Sequence, residues 1–191
     1  MHPVTHLLTS WVAANIADLG PRDRALVTLS GVVPDLDGLG AIAELATRES
    51  GTPLLWWSEY HHVLFHNMGF GLVLSVGVAL AAVRRGRTAL LAVLVFHLHL
   101  LSDLVGSRGP DGYQWPIPYL LPFSGSWALT WEGQWALNAW PNLLLTLVMI
   151  GATFILAWKR GFSPIEMLSR RADGAFISIL RRRFGEPGEE E

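Results

Sequence analysis

The chain has 191 residues, of which 51% are hydrophobic and only 16% charged, so it is more apolar than most soluble domains yet too polar to be made wholly of lipid-facing helices. Its net charge of −2 gives no general affinity for nucleic acid, which is excluded as a partner. Cysteine is absent, so a disulfide and a thiolate ligand are both impossible, and any metal site must be built from histidine, carboxylate and water.

The opening Met1-His2-Pro3-Val4-Thr5-His6 lacks the basic start of a signal peptide and is expected to be retained. Two short apolar stretches follow, Val4 to Ala17 and Ala25 to Val33. Both are too short for ordinary spans, so they are expected to form a helical hairpin, packed on longer helices or dipping partway into the membrane. Three longer runs read as spanning helices at the short end of the usual range: Asn67 to Val83, Thr88 to Val105 and Pro141 to Trp158. Between Ser107 and Pro141, Pro110, Pro116, Pro118 and Pro122 break helices. Trp127, Trp131 and Trp135 stand four apart there and would share a face if that stretch were helical. They read as an aromatic belt or core stripe, the alternative being a wall over a site that holds a lipid.

Ser163-Pro164-Ile165-Glu166 has the form of a capping box with proline at the first helical position. Ile165, Leu168, Ala172, Phe176 and Ile179 then recur at helical spacing, with Arg170, Arg171 and Arg181 to Arg183 on other faces. This predicts an amphipathic helix on the cytoplasmic leaflet, or one docked on the protein. The acidic tail Glu186 to Glu191 is expected to be disordered. The expected fold is therefore all-α: a multi-pass membrane helical bundle over residues 1–160, a C-terminal amphipathic surface helix over 161–185 and a tail over 186–191. Basic clusters at Arg22/Arg24, Arg84 to Arg87 and Lys159/Arg160 alternate with the histidines and aspartates. The preference for basic loops inside predicts an integral protein of the plasma (inner) membrane, with its site on the extracytoplasmic side.

All seven histidines lie within the first 99 residues. Ionisable groups in apolar helices are costly unless partnered, and a shared divalent cation offsets that cost. His99 and Asp103 are spaced i, i+4 and share a helical face, whereas His97 points nearly the other way and reads as packing or as support outside the ligands. In Tyr60-His61-His62-Val63-Leu64-Phe65-His66, helical geometry slightly prefers His62 with His66; Val63 stands where a zinc protease needs glutamate, which excludes that chemistry. Pro34-Asp35-Leu36-Asp37-Gly38 is a turn whose aspartates either bridge metal ions or merely cap and turn the chain. His2 and His6 are again i, i+4.

Thr5-His6, Pro34-Asp35-Leu36-Asp37, His61 with His66, and His99 with Asp103, followed by Gly106, together resemble the YdjM-like family of membrane-bound, metal-dependent hydrolases over roughly the first 125 residues. On that family's His-Arg-Gly-x-Thr-His-Ser motif, His61 matches the first histidine and His66 the second; His62 replaces the arginine, Phe65 the threonine and Asn67 the serine. The lost arginine removes a possible phosphate partner. The resemblance implies His61 rather than His62 as ligand and leaves His62 to support the ligands or touch substrate. The His-x-x-x-Asp pair is also similar to one in helical zinc-dependent phospholipase C and single-strand nuclease enzymes. The resulting expectation is a hydrolase of a phosphoester or lipid-linked ester. Zinc is the expected metal, with manganese possible, held by His6, Asp35, Asp37, His61, His66, His99 and Asp103. Asp35 or Asp37 would act as base, and the partners are membrane lipids and a small-molecule or lipid substrate. The alternative is a cation-binding membrane protein for transport, sensing or structure.

Overall fold

A computed structural model describes residues 1–109 and 112–188; Pro110, Asp111 and the tail residues Glu189 to Glu191 lie outside the described residues. The regular elements among the described residues are all helical: α1 (Pro3–Ala14), α2 (Pro21–Ser30), a 3-10 turn (Val33–Leu39), α3 (Gly40–Thr47), α4 (Trp56–Tyr60), α5 (Met68–Ala81), α6 (Arg85–Gly106), α7 (Trp140–Arg160), a second 3-10 turn (Pro164–Met167) and α8 (Arg170–Phe184). Among the described residues no strand forms; isolated bridges between Ile117 and Leu129 and between Arg108 and Ala136 pin the long loop after α6.

Proline near the first position starts α1, α2 and α7, where its missing N–H would have no helical partner. α7 stops at Gly161, whose φ of +77° is the left-handed cap that glycine adopts without strain. α6 and α7, with 22 and 21 residues, are long and apolar enough to cross a membrane. α5 is shorter than the apolar run from Asn67 to Val83 suggests. At 14 residues it reaches about 21 Å, against about 30 Å of hydrocarbon. The cause is tertiary: the Asp23 carboxylate accepts the backbone N–H groups of Val83 and Arg84, both at 2.8 Å, and turns the chain before the helix can extend. α2 and the segment Val33–Thr47 form a pair bent by 49° that is long and apolar enough to cross a membrane only when taken together.

α6 is the central helix and α7 the peripheral one: 44% of the most apolar window of α6 is buried, against 17% for α7. One core cluster joins α1, α2 and α6 through Ala13, Ala14, Val27, Leu91 and Val95. Another joins α1, α7 and α8 through Trp11, Ala157, Ile177 and Leu180. α8 is thus docked on the protein through Ile177 and Leu180 while Ile179 and Phe184 face outward. The anticipated capping box does not close. Glu166 instead grips the Arg24 guanidinium with both oxygens (2.6 and 2.9 Å), and Asp173 takes the Ser163 N–H at 2.9 Å. Trp127, Trp131 and Trp135 lie in irregular backbone, so their spacing does not create a shared helical face.

The three basic clusters meet at one end of the bundle. Arg24, Arg84 and Arg160 donate to the carbonyls of Leu19, Asp18 and Asn15, all in the turn between α1 and α2. His6, Asp35, His66 and Asp103 gather at the other end.

Candidate metal centre

α6 carries His99 and Asp103 one turn apart, with 2% and 1% of their surfaces exposed. His99 Nδ1 lies 2.9 Å from the Gly31 carbonyl, which only accepts, so the proton sits on Nδ1 and Nε2 presents a lone pair. Glycine at position 31 is what permits this approach: a Cβ there would fall 1.8 Å from Ser10 Oγ on α1.

His66 is oriented in the same way by a different partner. Its Nδ1 donates to Asp37 Oδ2 at 3.0 Å, leaving a second Nε2 lone pair. The two Nε2 atoms stand 3.0 Å apart. With both protons committed to Nδ1 they cannot bond each other. Asp103 Oδ2 is 3.0 Å from His99 Nε2 and 3.4 Å from His66 Nε2, and among the described residues it has no hydrogen-bond donor. Three lone-pair atoms, one of them anionic, therefore face a common point with no proton between them. That arrangement is repulsive alone and suits a cation, since zinc bonds of about 2.0–2.2 Å place tetrahedral nitrogen and oxygen ligands about 3.3 Å apart.

His62 adds a third ring from the irregular segment before α5. Its Nε2 is 3.9 Å from Asp103 Oδ2, and its buried Nδ1 has no partner among the described residues. The residue sits at φ +64°, a conformation a non-glycine residue holds only under tertiary constraint. Burial pushes the imidazoles of His62 and His66 below the usual histidine value. Neighbouring imidazoles reinforce the shift at His62, whereas the Asp37 hydrogen bond opposes it at His66.

On the other side of Asp103, Oδ1 faces His6 Nε2 at 3.1 Å and the Met1 amine. Asp35 comes from the 3-10 turn; its Oδ1 is 3.8 Å from His99 Nε2, and its Oδ2 is buried without a partner. Donor atoms of His6, Asp35, His99 and Asp103 lie within 4.8 Å of one another, as do those of His62, His66 and Asp103. The chain thus forms a buried histidine–aspartate cluster able to hold a divalent metal.

Of the residues singled out from sequence, His6, Asp35, His66, His99 and Asp103 come together in these groups. Asp37 and His61 lie outside both. Asp37 accepts His61 Nδ1 at 2.8 Å, His66 Nδ1 at 3.0 Å and the His62 backbone N–H at 3.1 Å, so both its oxygens are taken. His61 stacks on Trp57 with ring centroids 3.8 Å apart, and Trp115 meets it edge-on at 5.1 Å. His97 is elsewhere, bonded to the Val93 carbonyl and the Tyr119 hydroxyl at 2.8 Å each, and His2 is exposed. Trp115 also meets the His62 ring, with centroids 5.5 Å apart. Trp57 and Gln134, which donates to the Asp103 carbonyl at 2.8 Å, carried no local signal in the sequence. No family model, curated protein or solved structure matches the chain.

Proposed function

We propose that the protein is a membrane-embedded, metal-dependent hydrolase whose metal is held by His66, His99 and Asp103, with His62 completing the set in place of His61. The observation that carries this reading is the convergence of His66 Nε2, His99 Nε2 and Asp103 Oδ2, each free of a proton, on one point. Zinc suits such a nitrogen–carboxylate set, and manganese is compatible with it. Bound there, the metal would lower the pKa of a coordinated water and polarise the scissile group.

The chain's own residues supply the rest. Asp37 fixes the rings of His61 and His66 and so works through them, as carboxylates behind ligating histidines do. Asp35, with 14% of its side chain exposed and Oδ2 unpartnered, is placed to take a proton from water. The water oxygen bonds to phosphorus or to the acyl carbon, its proton passes to Asp35, and the ester's alcohol leaves after recovering that proton. A groove of about 670 Å³ beside the centre, lined by Leu36, Leu39, Ile42, Tyr60, Leu64 and Asp37, fits an apolar chain and favours a lipid-linked substrate. The arginines gathered at the far end of the bundle favour an extracytoplasmic site. The resemblance to YdjM-like hydrolases points to the same chemistry.

Burial of His66 (0% exposed) and Asp103 (1%) favours a second reading, a closed cation site without catalysis. The two separate on untagged protein in detergent, stripped with chelator and then reloaded with zinc or manganese. Hydrolysis of phosphoester or carboxylic-ester lipids that disappears on stripping and returns on reloading supports the hydrolase. Stoichiometric metal without turnover on either ester class refutes it in favour of the closed site.

A further inference from the structure

The two oxygens of Asp103 face different partners, which a single cation does not explain. Oδ2 is turned to His62, His66 and His99, whereas Oδ1 is turned to His6 and the Met1 amine, with Asp35 nearby. A histidine lone pair serves one ion only, so a cation among His62, His66 and His99 leaves His6 and Asp35 unused. We propose that the cluster holds two divalent cations bridged by the Asp103 carboxylate, one beside Oδ2 and one beside Oδ1 held by His6 and one oxygen of Asp35, whose other oxygen still takes the proton from water. This rests on the metal-dependent reading above and, within it, favours a phosphoester.

Charge supports the second ion. Asp35, Asp37 and Asp103 bring three carboxylates into one small region, and only Asp37 has hydrogen-bond donors on both oxygens apart from the Met1 amine at Asp103 Oδ1. Asp35 Oδ2 and Asp103 Oδ2 are buried without a hydrogen-bond donor among the described residues, and buried carboxylate oxygens are costly unless a cation or donor meets them. The Met1 amine packed against Asp103 Oδ1 shows that this side admits a further group besides His6. A second unpartnered atom, Asp35 Oδ2, belongs to a residue grouped with His6, His99 and Asp103. Paired ions about 3.5–4 Å apart suit a phosphoester, because they stabilise its attacking and leaving oxygens together.

The test is manganese loading of the full-length, untagged protein in detergent, read by metal analysis and electron paramagnetic resonance, neither of which needs turnover. The expected result is two ions per chain with the spectrum of an exchange-coupled pair. His6→Gln should halve the stoichiometry and leave the six-line spectrum of an isolated ion. One ion per chain at saturation, uncoupled, overturns the second site and spares a single-metal hydrolase. Two uncoupled ions overturn the Asp103 bridge, and no uptake overturns this proposal together with the metal-dependent function. The unaltered protein decides between these outcomes, so a His6 variant that misfolds does not rescue the idea.

Discussion

Replacing Asp37 by asparagine tests the logic of the centre without removing any atom proposed to touch metal. The carboxylate accepts three bonds, from His61 Nδ1, His66 Nδ1 and the His62 N–H. An amide offers one acceptor oxygen and turns an NH2 group toward the other donors. One histidine must then shift its proton from Nδ1 to Nε2 or rotate. For His66 that puts an N–H where its lone pair faced His99 and Asp103. Losing a partner of this kind costs about 10–100-fold in metal affinity, or about 1.4–2.7 kcal/mol. Asp37→Asn should fall toward the lower figure and Asp37→Ala toward the upper. Competition of purified protein against a fluorescent zinc chelator measures this, with circular dichroism checking that the helices persist. Unchanged affinity in both variants refutes the orienting role. A loss as complete as that of His99→Ala would make Asp37 a ligand and also defeat the reasoning.

Three further outcomes follow from the geometry. Gly31→Ala places a methyl 1.8 Å from Ser10 Oγ and 2.9 Å from its Cβ, so it should destabilise the protein by about 1–3 kcal/mol and, by moving the Gly31 carbonyl, weaken metal binding; an unaltered melting temperature with normal metal content would contradict it. His62 and His66 are held below the ordinary imidazole value by burial, so the unfolded chain binds more protons than the folded one just below that value. The metal-free protein should therefore keep its full stability above about pH 6.5 and lose it as the pH falls from there toward the lower folded values; thermal melts across that range that rise on acidification would show these rings are not held neutral. Ser126→Cys, in the exposed loop after α6, should react with an impermeant thiol reagent on intact cells, and Gly86→Cys, at the arginine-rich end in open space, should be protected; the reverse pattern would turn the site to the cytoplasm.

Much of the fold was legible in local composition. Hydropathy and length mark α6 and α7, and the basic clusters at Arg24, Arg84 and Arg160 do converge on one end. The i, i+4 spacing of His99 and Asp103 places both inside on one face, because helical periodicity is a property of adjacent residues and needs no other part of the chain. The same local reasoning overextended α5, whose end is set by Asp23, some 60 residues away. It also read Ser163 to Glu166 as a closed box, although Glu166 is drawn to Arg24 across 142 positions.

The division of labour within the centre was not legible for the same reason. Whether a histidine offers a lone pair or an N–H depends on what its other nitrogen meets. For His99 that partner is a carbonyl 68 residues away, and for His66 a carboxylate 29 residues away. Asp35 and Asp37 are near neighbours in sequence, yet the 3-10 turn sends one toward His99 and the other toward His61 and His66. His62 reaches the centre through a left-handed backbone rather than through helical spacing with His66. Residue types and short-range periodicity thus determine which groups are available for metal chemistry. Which atoms face one another, and with which protons, is decided only when α1, α2 and α6 pack closely enough for remote partners to orient each ring.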